Sequence, residues 1–294
     1  MSNIIFLYLI SGLYYAAYLF LVAAGLTIIF GLARVVNLAH GALYAIGAYV
    51  AAWLMGLISK QIPPPLWYII IIIAGAAGAA FVGIIIEPLL LRRVYGRLEE
   101  FQLLLTFAIL LIIEDLELMI WGPYPLAFKE PYHYLGAVSI GGGLMYPLYG
   151  FVVIAMGWLI ALFLWFFMTK TKLGIIIRSA AANKEVTAAI GHNVKSIYTK
   201  TFILGATLAG IGGAIVMPSA TAQLGLGIDI LVFAFAVVVI GGLGSLKGAL
   251  VGSLIVGMTR VVGIAYFPEI ELALIWLIAV IVLVFRPLGL WGRE

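Results

Sequence analysis

Long apolar blocks separated by short polar segments run along almost the whole chain. Most of the blocks approach or exceed the roughly 20 residues that cross a bilayer core. Backbone polar groups inside a bilayer must be paired within the protein, which a helix does within one segment. The pattern therefore predicts an all-α polytopic membrane protein with one transmembrane domain over 1–294, and the apolar blocks are 4–30, 38–58, 66–91, 101–121, 149–168, 201–217, 230–262 and 272–285.

The block 230–262 decides the number of spans. It has 33 residues, more than one span requires, and the sequence GGLGSLKG interrupts it at 241–248. It is therefore either one tilted helix or two shorter ones. The chain accordingly has eight or nine transmembrane helices.

The basic residues favour one orientation, because cytoplasmic loops carry an excess of Lys and Arg. With the segment 178–200 placed in the cytoplasm and the 230–262 block crossing twice, only Lys60 and Lys129 fall outside, and Arg260 is undecided. We therefore expect an external N-terminus and a cytoplasmic C-terminus in the inner or plasma membrane. Thirteen basic residues then lie inside, at positions 34, 92, 93, 97, 170, 172, 178, 184, 195, 200, 247, 286 and 293.

Composition excludes several classes of protein. Hydrophobic residues make up 65% and charged residues 10% of the chain, against roughly 45–50% and about 25% in soluble domains. A net charge of +4 spread between apolar blocks does not favour nucleic acid as a partner, and there is no Cys for a disulfide. The three histidines form no metal or triad pattern, and no phosphate-binding loop is present. We expect neither an enzyme nor a cofactor, and if ATP drives this protein, another chain must hydrolyse it.

The longest polar run, at 178–200, is predicted to be a short cytoplasmic helix. Residues 180–190 are good helix formers, and Gly191 followed by Asn193 provides a stop signal. Such a helix is either a solvated connector between two spans or a surface that docks on a partner. Glu185, Ala188, Ala189 and Gly191 give it the small face that suits a partner's groove.

The first internal turn, ARVVNLAHGALYAIGAY at 33–49, is either a cytoplasmic turn or a re-entrant break that lines a pathway. Asn37 could cap the following helix through its side-chain oxygen. A second break, SLKGALVG at 245–252, shares the triplet Gly-Ala-Leu with it. Paired interruptions often point to the substrate site of a transporter, which makes the pathway candidates Asn37, His40, Gly41, Gly244, Ser245 and Lys247.

Four further features carry structural predictions. Glu114, Asp115 and Glu117 lie close to the predicted outer boundary, which favours a solvated helix end over an ion site. Glu87 is expected to pair with Arg92 or Arg93. Four prolines within 122–147 predict an irregular external cap. Glycines in the third and sixth blocks predict closely packed helices.

Four motifs, in order and in spacing, give the chain a family resemblance. EVTAAIG loosely resembles the Glu-Ala-Ala-x-x-x-Gly loop of ABC importer permeases, with Val186 and Thr187 where alanines are usual. Together with VVNLAHG, RSAAANKE and GGLGSLKGALVG, it resembles the high-affinity branched-chain amino acid importer permeases of the LivH type. Ala42 departs from the larger, often acidic residue expected after the His-Gly pair.

The resemblance implies a pathway formed with a second permease subunit, two cytoplasmic ATPases and an external solute-binding protein. It implies a coupling helix that contacts the ATPase through Glu185, Thr187, Ala188 and Gly191, flanked by Arg178 and Lys184. The alternatives are a permease for urea, amides or another small polar solute, and an ATPase-independent secondary transporter that couples to ions through Glu114 and Asp115.

Overall fold

The structure is a computed structural model that describes residues 2–292, so the predicted inner residue Arg293 lies outside the described part. Within it the chain folds almost entirely into helices, as predicted. Their bounds are α1 Ser2–Ala33, α2 His40–Ile58, α3 Pro64–Leu89, α4 Glu99–Trp121, α5 Glu130–Leu135, α6 Leu148–Lys170, α7 Lys172–Ala182, α8 Lys184–Ala189, α9 Val194–Val216, α10 Leu226–Gly241, α11 Leu246–Tyr266 and α12 Glu271–Phe285.

Seven of the described helical segments are long and apolar enough to cross a membrane: α1, α2, α3, α6, α9, α11, and α12 together with the helical turn Pro268–Ile270 that precedes it. α10 is strongly apolar but has only 16 residues. α4 has 23 residues and carries acidic side chains at both ends. This composition identifies a multi-pass α-helical membrane protein.

The block 230–262 forms two helices, not one tilted helix. The chain leaves α10 at Gly242 and turns back into α11, with φ values of 103° at Gly242 and 79° at Gly244. Only glycine adopts such angles without steric cost. The interruption GGLGSLKG is therefore a tight turn between antiparallel neighbours.

α1 forms the centre of the bundle and packs along α6, α9, α10 and α11. A helix that is hydrophobic all round is expected to be buried on all sides. The predicted close packing of small residues is confirmed where α2, α3 and α9 meet. A Cβ on Gly210 would overlap the carbonyl oxygen of Gly75, and a Cβ on Gly47 would overlap the backbone of Gly210. Backbones can approach this closely only where side chains are absent.

The bundle has two distinct ends. At the basic end, Arg92 and Tyr95 contact the start of α9, within the segment 178–200. At the hairpin end, β1 (Ala137–Gly141) pairs antiparallel with β2 (Leu144–Pro147), and Gly142 lies beside Asn3 at the start of α1. The prediction of an irregular cap over 122–147 is wrong for its second half, which contains α5 and this hairpin.

Candidate functional site

The polar segment at the basic end forms two helices where the sequence predicted one over 180–190. Asn183 separates α7 from α8, and its side-chain oxygen accepts hydrogen bonds from the backbone N–H groups of Glu185 and Val186, both at 3.0 Å. An Asn side chain competes with the helix for backbone N–H groups and so favours a cap. The predicted stop is present, since α8 ends at Ala189 and Gly191 has a φ of 91°.

Five of the six predicted coupling residues are exposed on this segment: Arg178, Lys184, Glu185, Ala188 and Gly191. Thr187 is the exception, because it is fully buried. Its hydroxyl donates to the carbonyl of Asn183 at 2.8 Å and lies 3.0 Å from the hydroxyl of Ser179. Thr187 therefore holds the joint between α7 and α8 and cannot itself reach a partner in this conformation.

Two apolar side chains of α8 and its end, which the predicted coupling residues do not include, are strongly exposed. Val186 is 55% exposed and Ile190 is 64% exposed. The signal was available, since a branched apolar residue inside a polar segment has no lipid to face. They extend the candidate docking surface beyond the small residues.

A polar cluster ties this segment to the bundle. The fully buried carboxylate of Glu87, near the end of α3, pairs with Arg92 at 2.6 Å and accepts a hydrogen bond from the hydroxyl of Thr199 at 2.7 Å. The prediction that Glu87 pairs with Arg92 or Arg93 is confirmed for Arg92. Beside it, Tyr95 packs on Tyr198 with ring centroids 4.8 Å apart, and burial raises the pKa of the Tyr95 phenol, so it stays neutral.

The chain re-enters the bundle after α1, which decides between the two predictions for this turn. Arg34 has a positive φ of 52°, and six residues later the Nε2 atom of His40 lies 2.9 Å from the carbonyl oxygen of Val22. Val22 precedes the end of α1 by 11 residues, which is about 16 Å of helix. α2 therefore begins inside the bundle, at a re-entrant break.

Asn37 does not cap α2, contrary to the prediction. The residue before the helix is Ala39, with no side-chain cap. Asn37 and His40 are fully buried, and neither polar atom of the Asn37 amide nor the Nδ1 atom of His40 has a hydrogen-bond partner among the described residues. Buried polar groups are normally paired, and those that are not call for an explanation.

The start of α10 meets the start of α2. A Cβ on Gly41 would overlap the carbonyl oxygen of Gly227, so the first turns of the two helices are in backbone contact. The sequence predicts a second break at Gly244, Ser245 and Lys247 instead. Those residues form the α10–α11 turn, where Gly244 approaches Gly31 and Ser245 caps α11 by accepting from the N–H of Gly248 at 3.1 Å.

α4 completes the site along the side of α2. The hydroxyl of Thr106 lies 3.3 Å from the carbonyl oxygen of Val36 in the re-entrant segment. Farther along, Trp121 stacks on Tyr49 with ring centroids 5.1 Å apart. Glu117 is only 2% exposed, so the prediction of a solvated helix end is wrong for this residue.

We call this junction the α2–α4–α10 seam. It contains unpartnered buried atoms at four side chains within the described part of the chain: Asn37, His40, Glu117 and Trp121. Polar groups in a membrane bundle are costly and are retained where solutes or ions pass. The seam is the candidate pathway site, and it includes the predicted residues Asn37, His40 and Gly41 but not Gly244, Ser245 or Lys247.

A helical bundle with broken helices and interior polar groups defines a membrane transport protein. Permease components of branched-chain amino acid transport systems form a family that matches residues 8–285, and the protein belongs to that family.

Similar proteins cover almost the whole chain. The high-affinity branched-chain amino acid transport system permease protein BraD of Pseudomonas aeruginosa is 26% identical over 97% of this chain and 95% of its own length. The probable branched-chain amino acid transport permease protein LivH of Methanocaldococcus jannaschii is 29% identical over 85% of this chain and 78% of its own. The ribose import permease protein RbsC of Escherichia coli is 28% identical over 89% and 81%. No solved structure matches the chain.

Proposed function

We propose that this protein is a membrane-spanning permease subunit of an ATP-driven ABC importer that translocates branched-chain or related amino acids. The observation that carries the proposal is the family match over residues 8–285. BraD and the LivH relatives are permeases for this substrate class by name, and both cover most of this chain. RbsC favours one second candidate, import of another small polar solute.

The energy source lies in partner subunits. The sequence has no phosphate-binding loop of the form GxxxxGK[ST], so this chain cannot cradle ATP in that way. The functional unit would contain this chain, a second permease subunit, two cytoplasmic ATPases and an external solute-binding protein in a lipid bilayer.

Docking on the ATPase would use the exposed surface around α8. Val186 and Ile190 supply apolar contact area, while Arg178, Lys184, Glu185, Ala188 and Gly191 form the rim around it. Interfaces commonly combine a few apolar anchors with a polar edge. Thr187 does not contact the ATPase in this proposal but holds α8 in place through its hydrogen bond with Ser179 of α7.

The proposed topology has nine spans: α1, α2, α3, α4, α6, α9, α10, α11 and α12. With an odd number of crossings, the two termini lie on opposite sides of the membrane. Because the segment 178–200 is placed in the cytoplasm, the N-terminus lies outside and the C-terminus in the cytoplasm. This arrangement turns the basic end with α7 and α8 towards the ATPases, in agreement with the distribution of Lys and Arg. It turns the hairpin end towards the binding protein.

Reconstitution tests this proposal directly. The chain is copurified with the permease, ATPase and binding-protein products of neighbouring genes, and uptake is measured in proteoliposomes with ATP inside or outside. We expect ATP-dependent uptake of leucine, isoleucine or valine and none of ribose. Uptake of ribose alone would favour the second candidate, and uptake driven by an ion gradient without ATPases would refute the ABC assignment.

A further inference from the structure

Glu117 is a buried carboxylate for which residues 2–292 supply no basic partner. It lies on α4, is 2% exposed, and its Oε1 atom has no hydrogen-bond partner among the described residues. The ion pairs found in residues 2–292 join Arg92 to Glu87 and Arg260 to Glu271, both elsewhere in the bundle. An ionised carboxylate that is buried without a cation is unfavourable, so Glu117 needs either a proton or a cationic ligand.

Glu117 lines a small cavity where three elements meet. α2 contributes Ala42 and Ala45, α4 contributes Leu110, Glu114 and Glu117, and the start of α10 contributes Gly225, Gly227 and Ile228. The cavity volume is about 10 Å³, roughly the space one water molecule needs. It can hold a single small polar group but not a whole amino acid.

The cavity lies deep in the bundle. Ala45 precedes the last residue of α2 by 13 positions, which corresponds to about 20 Å of helix. A bilayer core is about 30 Å thick, so the α2 side of the cavity lies well away from the end of α2. Ionisable groups at this depth mark sites that bind or conduct a polar solute.

The chemistry of the lining selects a cation with hydrogen-bond donors. Ionised carboxylates only accept hydrogen bonds, whereas an ammonium group has three donors and a positive charge. Two carboxylates beside one cavity repel each other, and a cation between them converts the repulsion into attraction. The N-terminus of α10, with its partial positive charge, reduces the cost of holding both carboxylates ionised. The other six lining residues are apolar or glycine, which suits the carbon next to the ammonium group.

We propose that Glu114 and Glu117 form a subsite that binds the ammonium group of the amino acid during its passage through the permease. Glu114 is partly exposed and Glu117 is buried behind it, so the remainder of the solute lies on the Glu114 side. This inference rests on the proposed function, because it names the group of the transported solute that the seam recognises.

Protection from chemical modification tests the subsite without any substitution. The assembled importer in proteoliposomes, with binding protein and ATP, is treated with dicyclohexylcarbodiimide, an apolar reagent that modifies carboxylates within membranes. Mass spectrometry then measures modification of Glu114 and Glu117 in the presence of leucine, isopentylamine, 2-hydroxy-4-methylpentanoate or NaCl. Isopentylamine lacks the carboxylate of leucine, and the hydroxy acid lacks its ammonium group.

We expect leucine and isopentylamine to slow modification of both residues, and the hydroxy acid and NaCl to leave it unchanged. Equal protection by the hydroxy acid, protection by NaCl alone, or no protection would overturn the subsite. The two proposals fail separately. Protection by isopentylamine without transport of any branched-chain amino acid keeps the subsite and refutes the proposed substrate.

Substitution gives an independent measure. Glu117→Gln keeps the shape of the side chain but removes its charge, and we expect leucine uptake to fall about tenfold to a hundredfold, the effect of losing one charge-assisted hydrogen bond. The matched control is Asp115→Asn, an exposed carboxylate two residues away on the same helix, with uptake within about twofold of the parent. Unchanged uptake in Glu117→Gln, with ATPase copurification intact, would contradict the proposal.

Discussion

The apolar side chains on α8 and its end give the sharpest test of how this permease engages its ATPase. Replacing both Val186 and Ile190 with Ser removes most of the apolar surface that the segment offers, and it leaves the capped joint at Asn183 and Thr187 intact. Because both side chains are exposed, the substitutions should not alter the stability of the permease itself.

The expected magnitude follows from the exposed fractions. Fully burying a Val or Ile side chain is worth about 1.5–3 kcal/mol. Val186 is 55% exposed and Ile190 is 64% exposed, so covering the exposed part contributes about 1–2 kcal/mol for each residue. The double substitution should weaken ATPase binding by about 2–4 kcal/mol, which is roughly 30-fold to several-hundred-fold in Kd.

The assay is equilibrium binding of the purified ATPase to the permease in nanodiscs. The control is Val138→Ser, which removes an exposed apolar side chain from β1 at the hairpin end and should leave the Kd unchanged. Permease yield and thermal midpoint are recorded for every variant. A double variant with parental Kd would refute the assignment of α8 as the docking surface.

Three further substitutions probe the joint, the packing and the link to the bundle. Gly191 has a left-handed φ of 91° and no atoms near its missing Cβ, so Gly191→Ala should cost about 1–2 kcal/mol of local strain and reduce coupled transport. Gly191→Asn should retain coupled transport, because Asn visits this conformation. An equal loss of transport per ATP in both variants would show that the backbone conformation is not the cause. Gly210→Val should lower the thermal midpoint in detergent, since the valine side chain would overlap Gly75. The control Gly56→Val should leave the midpoint unchanged, because the space at its Cβ is open. Equal midpoints for the two variants would contradict the close packing inferred at Gly210. Glu87→Gln should destabilise the protein by about 1–3 kcal/mol, because it removes the negative charge of the buried partner of Arg92, which is 33% exposed. Glu100→Gln on the surface serves as its control in the same melting assay.

The class of protein could be predicted from the sequence, because lipid solubility is a property of each apolar block separately. The split of the 230–262 block was also within reach, since glycines at 242 and 244 permit the turn that the structure shows. The hairpin at 137–147 was missed because four prolines outweighed the run Gly141–Gly143, which is the turn signal. Asn183 was missed because good helix formers on both sides concealed a single side-chain cap.

The candidate site was only partly predictable, for a different reason. Asn37, His40 and Gly41 were found because they are polar or small residues within an apolar stretch. The burial of Glu117 depends on Gly225 and Gly227, more than 100 residues away in the chain, and no local pattern reports that contact. Gly244, Ser245 and Lys247 lie outside the seam, and their role in the pathway stays a prediction. A shared triplet suggested a pair of breaks, but the partner of the α2 break is the start of α10.

α9 connects the candidate docking surface around α8 to the α2–α4–α10 seam. This connection bears on how an ATPase could act on the seam. Its first residues follow α8 directly, and Thr199 is held by Glu87 at the basic end. Six residues farther along, Gly205 packs against the backbone of Gly25, and a Cβ on Gly25 would also meet the His40 ring. Because backbone contacts through glycine leave no compressible side chains between helices, a displacement of α9 must move α1 and the start of α2 or break the contact. A shift imposed on α8 therefore has a continuous, closely packed route to the re-entrant break, which supports placing the coupling surface and the pathway in one mechanical unit.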